Sequence, residues 1–117
     1  MAPGTPNLMA ATLVKPGREA EFEDFVINVI VPAGRRTKPH LEDGWQLLRP
    51  SDNPPEGVTS AYMFVFYGDA PLEEWDLEPL FNEAYGPEEG RQHLDRFLDL
   101  IDGEQTLYAF GGEVARS

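Results

Sequence analysis

The residues best suited to chemistry gather in one short basic segment and one aromatic strand. Arg35, Arg36, Lys38 and His40 crowd into VPAGRRTKPH. A histidine titrates near neutral pH, so His40 in a pocket could protonate or deprotonate an aromatic substrate. Arg35 and Arg36 could recognise a carboxylate or phenolate. The plainer assignment makes His40 a solvated loop residue. It makes the cations C-terminal dipole partners of a helix that pair with Glu42 and Asp43. Tyr62, Phe64, Phe66 and Tyr67 lie in SAYMFVFY, and Tyr108 lies in TLYAF. Whichever of these faces a cavity would suit a flat, apolar ligand, and a buried tyrosine hydroxyl would need a partner there. Trp45 and Arg49 bracket GWQLLR, with Arg49 near the rim of the same cavity.

Several chemistries are excluded or unsupported. The chain has no cysteine, so disulfides, thiolate catalysis and zinc–thiolate sites drop out. Asp and Glu show no metal spacing, and no phosphate loop, dinucleotide fingerprint or serine elbow is present. With 21 acidic against nine basic residues, the net charge of −12 opposes nucleic acid and anionic membranes. No apolar run approaches the ~20 residues of a membrane span. MAPGTPNLMA lacks the basic and apolar parts of a signal peptide, so a cytoplasmic location is expected.

The positioning elements can be read in order. At 117 residues and 41% hydrophobic content, one globular domain over 7–110 is expected, with tails at 1–6 and 111–117. Asn7–Val14 reads as a strand without a solvent face. Lys15–Pro32 begins with a Pro-Gly turn and an acidic first turn. Phe22, Phe25, Val26, Val29, Ile30 and Ala33 then recur at helical spacing. This helix should run from about Arg18 towards Arg36, with Pro32 kinking or ending it. Gly44–Arg49 is the second strand and Ser60–Tyr67 the third, apolar on both faces. Leu72–Ala84 reads as helical, and Gly86-Pro87 breaks it. A further helix follows with Leu94, Phe97, Leu98 and Ile101 as its buried stripe. Thr106–Phe110 is the last strand.

The order is that of a ferredoxin-like βαββαβ fold: an α+β protein with a four-stranded antiparallel sheet and helices on one face. Strands one and three would leave the other face apolar. A second copy of the sheet is the economical cover, so a homodimer with sheets face to face is expected, with a ligand cavity between them.

The chain resembles the dimeric α+β barrel superfamily, in particular antibiotic-biosynthesis-type monooxygenases and related small barrels. KPGREAEFEDF, VPAGRRTKPHLEDGWQLLR, AYMFVFY and TLYAF carry the resemblance across about Leu8 to Phe110. It implies a small aromatic or polyketide-like ligand, and cofactor-independent oxygenation or cyclisation/isomerisation if the protein is an enzyme. Some relatives use a strand-one Asn and a Trp near the second helical region, places that Asn7 and Trp75 roughly match. Haem-degrading members also need a histidine on the second helix. His93 lies beyond the Gly86-Pro87 break, which speaks against haem, and no cofactor is expected. The residue types and the resemblance together make His40, Asn7, Trp75, Tyr62 and Tyr67 the catalytic candidates. Arg35, Arg36, Arg49, Trp45, Phe64, Phe66 and Tyr108 become candidates to bind substrate. The competing expectation is a non-catalytic dimer that sequesters a ligand. Asn7, His40 or Arg49 inside the cavity would favour catalysis.

Overall fold

The computed structural model describes residues 5–115; of the expected tails at 1–6 and 111–117, residues 1–4 and 116–117 lie outside the described residues, and Pro6 belongs to the first strand. The chain runs β1 (Pro6–Thr12), α1 (Glu19–Phe25), a π-helical turn (Val26–Ile30) and α2 (Val31–Thr37). A 3-10 turn (Pro39–Gly44), β2 (Trp45–Leu48) and β3 (Tyr62–Tyr67) follow. Then come a second 3-10 turn (Leu72–Trp75), α3 (Leu77–Tyr85), α4 (Pro87–Leu100) and β4 (Thr106–Ala109).

This is an α+β fold with one open antiparallel sheet in the order β2-β3-β1-β4. β3 lies between β1 and β2 and is antiparallel to both, so those two strands run parallel to each other. Register places Ala10 opposite Phe64 and Leu107, Thr12 opposite Tyr62, and Phe66 opposite Trp45. Because side chains alternate along a strand, these residues share one face. The helices cover that face: Phe22, Phe25, Val26, Ile30, Leu80, Phe81, Phe97 and Leu100 pack with Ala10, Tyr62 and Phe64. Met9, Ala11, Met63, Val65, Tyr67, Leu48 and Tyr108 belong to the other face.

Several elements depart from their expected form. Pro32 does not end the first helix. It occupies one of the first two positions of α2, and the disturbance lies just upstream as the π turn. Proline cannot donate to the carbonyl four residues back, and its ring crowds that carbonyl. Widening the preceding turn accommodates both defects: the Val31 N–H donates to Val26 O, five residues back. Leu72–Ala84 is interrupted at Asp76, which is extended between the 3-10 turn and α3. In α4 the buried line is Gly90, Phe97 and Leu100, whereas Leu98 is 54% exposed. Ile101 is buried beyond the helix end, where it forms a bridge with Val14.

The join of α3 and α4 has its own requirement. Gly86 has φ +88°, a left-handed conformation that costs glycine little. Gly90 lies so close to α3 that an added Cβ would stand 2.8 Å from the Phe81 carbonyl carbon and oxygen.

Candidate functional site

Between the sheet and the helices lies a cleft of about 880 Å³. Clefts of roughly 300–1,000 Å³ commonly hold small molecules. Two of its lining positions carry little bulk, Ala10 on central β1 and Gly34 on α2. An added Cβ at Gly34 would meet nothing within 4 Å. The lining reaches from Trp45 and Leu47 on β2 to Leu107 on β4, so the cleft extends under the width of the sheet. Val26, Ile27 and Ile30 of the π turn line it from the helix side.

One wall is aromatic. Trp45 and Phe64 have ring centroids 6.2 Å apart, and Phe64 and Phe66 stack at 6.3 Å with planes 3° apart. Phe66 contacts Trp75 at 4.6 Å. The cross-strand register produces this ribbon, since Trp45 faces Phe66 and Leu47 faces Phe64.

A polar cluster lies in the lining where α1 approaches β2 and β3. The Tyr62 hydroxyl donates to Glu23 Oε2 at 2.5 Å. Arg49 donates to the same carboxylate through Nε (3.1 Å) and Nη2 (2.5 Å), a two-point grip. The Arg49 hydrogen bonds, then that of Tyr62, hold the Glu23 carboxyl below the usual carboxylate range. Burial, reinforced by Glu23, pushes the Tyr62 phenol well above its ordinary range. Near the 3-10 turns, Lys38 pairs with Glu74 at 2.7 Å and Arg35 with Glu42 at 2.7 Å. Lys38 lowers the Glu74 carboxyl in turn.

The structure brings Trp45, Tyr62, Phe64, Phe66, Trp75, Arg35 and Arg49 into this lining. It places the other candidates elsewhere. His40 is exposed on the first 3-10 turn. Arg36 donates to Ala84 O at 2.8 Å and lies over the Tyr85 ring, tying α2 to α3. Tyr67 and Tyr108 belong to the opposite sheet face; the Tyr67 hydroxyl accepts from Gln46 Nε2 at 2.8 Å. Asn7 sits at an irregularity between Pro6 and Leu8, where its Nδ2 donates to Ala70 O at 3.3 Å. Its Oδ1 and the Nε1 of Trp75 are buried without a hydrogen-bond partner among the described residues. Arg49 is the one member of the Asn7, His40 and Arg49 set to reach the cleft, and its guanidinium is committed to Glu23.

Glu23 was not among the expected site residues, because a carboxylate early in a helix is explained by the dipole. A second helical line held the signal. Glu23, Val26, Ile27, Ile30 and Gly34 follow i, i+3, i+4, i+7 and i+11 beside the main apolar stripe, and all five line the cleft.

Among the described residues no group of three or more His, Asp or Glu is placed to hold a metal ion. No described helix is long and apolar enough to cross a membrane. No family model matches the chain, and neither a curated protein nor a solved structure matches it. The class reached here is therefore architectural: an α+β protein whose helices and antiparallel sheet enclose an aromatic-walled cleft.

Proposed function

We propose that this chain is a ferredoxin-like α+β barrel subunit that binds a small hydrophobic molecule, aromatic or polyketide-like. The ligand occupies the cleft between sheet and helices, not the cavity between two paired sheets that the sequence led us to expect, and the outer sheet face pairs with a second copy. The observation that carries the binding role is the aromatic ribbon Trp45–Phe64–Phe66–Trp75 along a cleft of about 880 Å³. Such a wall offers flat, apolar surface. The strand order β2-β3-β1-β4, antiparallel at every step, supports the ferredoxin-like reading.

Binding is better supported than catalysis. Neither His40 nor His93 lines the cleft, and Glu23, Arg49, Lys38 and Glu74 satisfy one another. A cofactor-independent monooxygenase or a cyclase/isomerase needs a group able to exchange a proton with substrate. Tyr62 is the buried candidate, and its hydroxyl proton is already directed at Glu23. The non-catalytic ligand-binding role is thus the leading one.

The test fills the cleft without disturbing the core. N-phenyl-1-naphthylamine is titrated into the protein and its emission followed. Saturable one-to-one binding is expected. Gly34→Leu adds a side chain where Gly34 faces open space, in a helix that gains from losing glycine. It should weaken the dye at least tenfold while far-UV circular dichroism stays unchanged. An unaltered titration in the folded variant would remove the cleft from consideration.

A further inference from the structure

We infer that the Tyr62–Glu23–Arg49 cluster selects a ligand carrying a hydroxyl, a phenol or enol on a flat apolar skeleton, in preference to a carboxylate or a bare hydrocarbon. The inference rests on the cleft being the binding site and adds the chemistry of its ligand.

Counting donors and acceptors leads there. A tyrosine hydroxyl has one proton and two lone pairs. Tyr62 is 3% exposed, and its proton goes to Glu23. Its lone pairs remain, on an oxygen made more electron-rich by the carboxylate it donates to. The ionised Glu23 carboxylate accepts and cannot donate; it takes three hydrogen bonds, two from Arg49 and one from Tyr62. The Arg49 donors nearest the carboxylate are used, and its side chain is 67% exposed. Buried capacity at this end of the cleft therefore accepts hydrogen bonds. A ligand hydroxyl supplies the missing donor and extends the chain from ligand O–H to Tyr62 O–H to Glu23.

A hydrocarbon would leave the desolvated Tyr62 oxygen without that donor. A carboxylate would meet Glu23 directly. With Arg35–Glu42, Lys38–Glu74 and Arg49–Glu23 paired, the charge left over in the lining is the Asp76 carboxylate, in a protein whose net charge is −12. Trp75 Nε1 is an unpaired buried donor of the lining, but it lies against Phe66, four residues along β3 from Tyr62, and does not serve the Tyr62 end. The other donors do not reverse the balance. Lys38 and Arg35 are paired with carboxylates, and Gln105 Nε2 donates to Thr12 Oγ1 at 2.8 Å.

The test displaces N-phenyl-1-naphthylamine from the full chain with three naphthalenes of one skeleton: 2-naphthol, 2-methoxynaphthalene and 2-naphthoate. In the wild type 2-naphthol should compete about five- to tenfold more strongly than 2-methoxynaphthalene, the scale of one neutral hydrogen bond. The naphthoate should be weakest. Tyr62→Phe keeps the ring and should bring 2-naphthol down to the methoxy compound, whose own affinity holds. That pattern separates a hydrogen bond from a steric effect of the extra methyl. Glu23→Gln leaves Arg49 without its carboxylate and should shift preference towards 2-naphthoate. Equal competition by naphthol and its ether, tightest binding of naphthoate to the wild type, or a naphthol preference that survives Tyr62→Phe would each overturn the inference. Dye binding with no displacement by any of the three would overturn it too, while the cleft stood. Failure of the dye itself to bind would overturn the cleft and the inference together.

Discussion

Glu23 joins three kinds of physics at one carboxylate. It belongs to the first full helix, it grips the end of β2 through Arg49, and it accepts the proton of a buried phenol on β3. Removing the Tyr62 hydroxyl should lower stability by about 1.5–3 kcal/mol, the net worth of a hydrogen bond to a charged group, with the ring packing against Phe22 kept. Urea unfolding of Tyr62→Phe checks this. The pH dependence follows from the lowered Glu23 carboxyl. A carboxyl whose folded pKa lies below its unfolded value contributes stability above the unfolded value, about 4.3 for glutamate. That contribution disappears as pH falls through the folded value. Glu23→Gln should therefore be less stable than wild type at pH 7, and the gap should close in acid. Denaturation midpoints at pH 7, 5 and 3 measure it; a gap undiminished at pH 3 would mean that charge on Glu23 is not the cause. Tyr62 was legible in the sequence as an aromatic strand residue with a polar tip. Its partner shows only through the line that continues to Val26, Ile27, Ile30 and Gly34, because nothing within EAEFEDF itself tells Glu23 from Glu21. Glu21 instead pairs with Arg18 and Arg96.

Helices and strands were more legible than what happens inside them. Residues at i, i+3 and i+4 from Phe22 to Ala33 marked the buried stripe, because a helix turns 3.6 residues at a time and the core lies on one side. The π turn was hidden, since a one-residue change of hydrogen-bond span alters that periodicity by less than a turn. Pro32 was the trace it left, read as a kink or a stop, and the backbone widens there and continues. The α3–α4 pair held a similar concealed requirement. Glycine ordinarily weakens a helix interior, yet Gly90 permits the close approach of the two axes. Gly90→Ala should gain helix propensity and still destabilise, by about 1–3 kcal/mol, because its methyl group meets the Phe81 backbone, which cannot swing aside. Thermal or urea midpoints decide the sign. A midpoint equal to or above wild type would show that α3 and α4 can separate without loss.

At the scale of the whole molecule, the two sheet faces raise different questions. The inner face is explained by the helices and the cleft. The outer face is apolar along both central strands, and sequence alternation alone revealed that. Alternation could not reveal how much of it the chain covers for itself. Val65 is 1% exposed although it stands outside the buried cluster that the helices form on the inner face, while Tyr108 on edge strand β4 is 50% exposed. Nor could it place the cleft, whose lining joins Ala10 of β1 and Gly34 of α2 with residues of elements distant in sequence. If a second copy covers the outer face, residues at its exposed edges should control assembly without controlling folding. Leu48 on β2 and Tyr108 on β4 are two such residues on that face. Sedimentation of the wild type at micromolar concentration should then give about twice the chain mass of 13.1 kDa. Leu48→Glu combined with Tyr108→Glu should give the single-chain mass with an unchanged circular dichroism spectrum, because desolvating two carboxylates against an apolar partner is costly. Phe64→Asp should act differently: Phe64 is buried on the inner face with Phe22, so the chain itself should unfold. A wild type that sediments as a single chain would refute the paired sheets. It would leave the outer face as ordinary exposed surface, and the binding role of the cleft would stand or fall by its own titration.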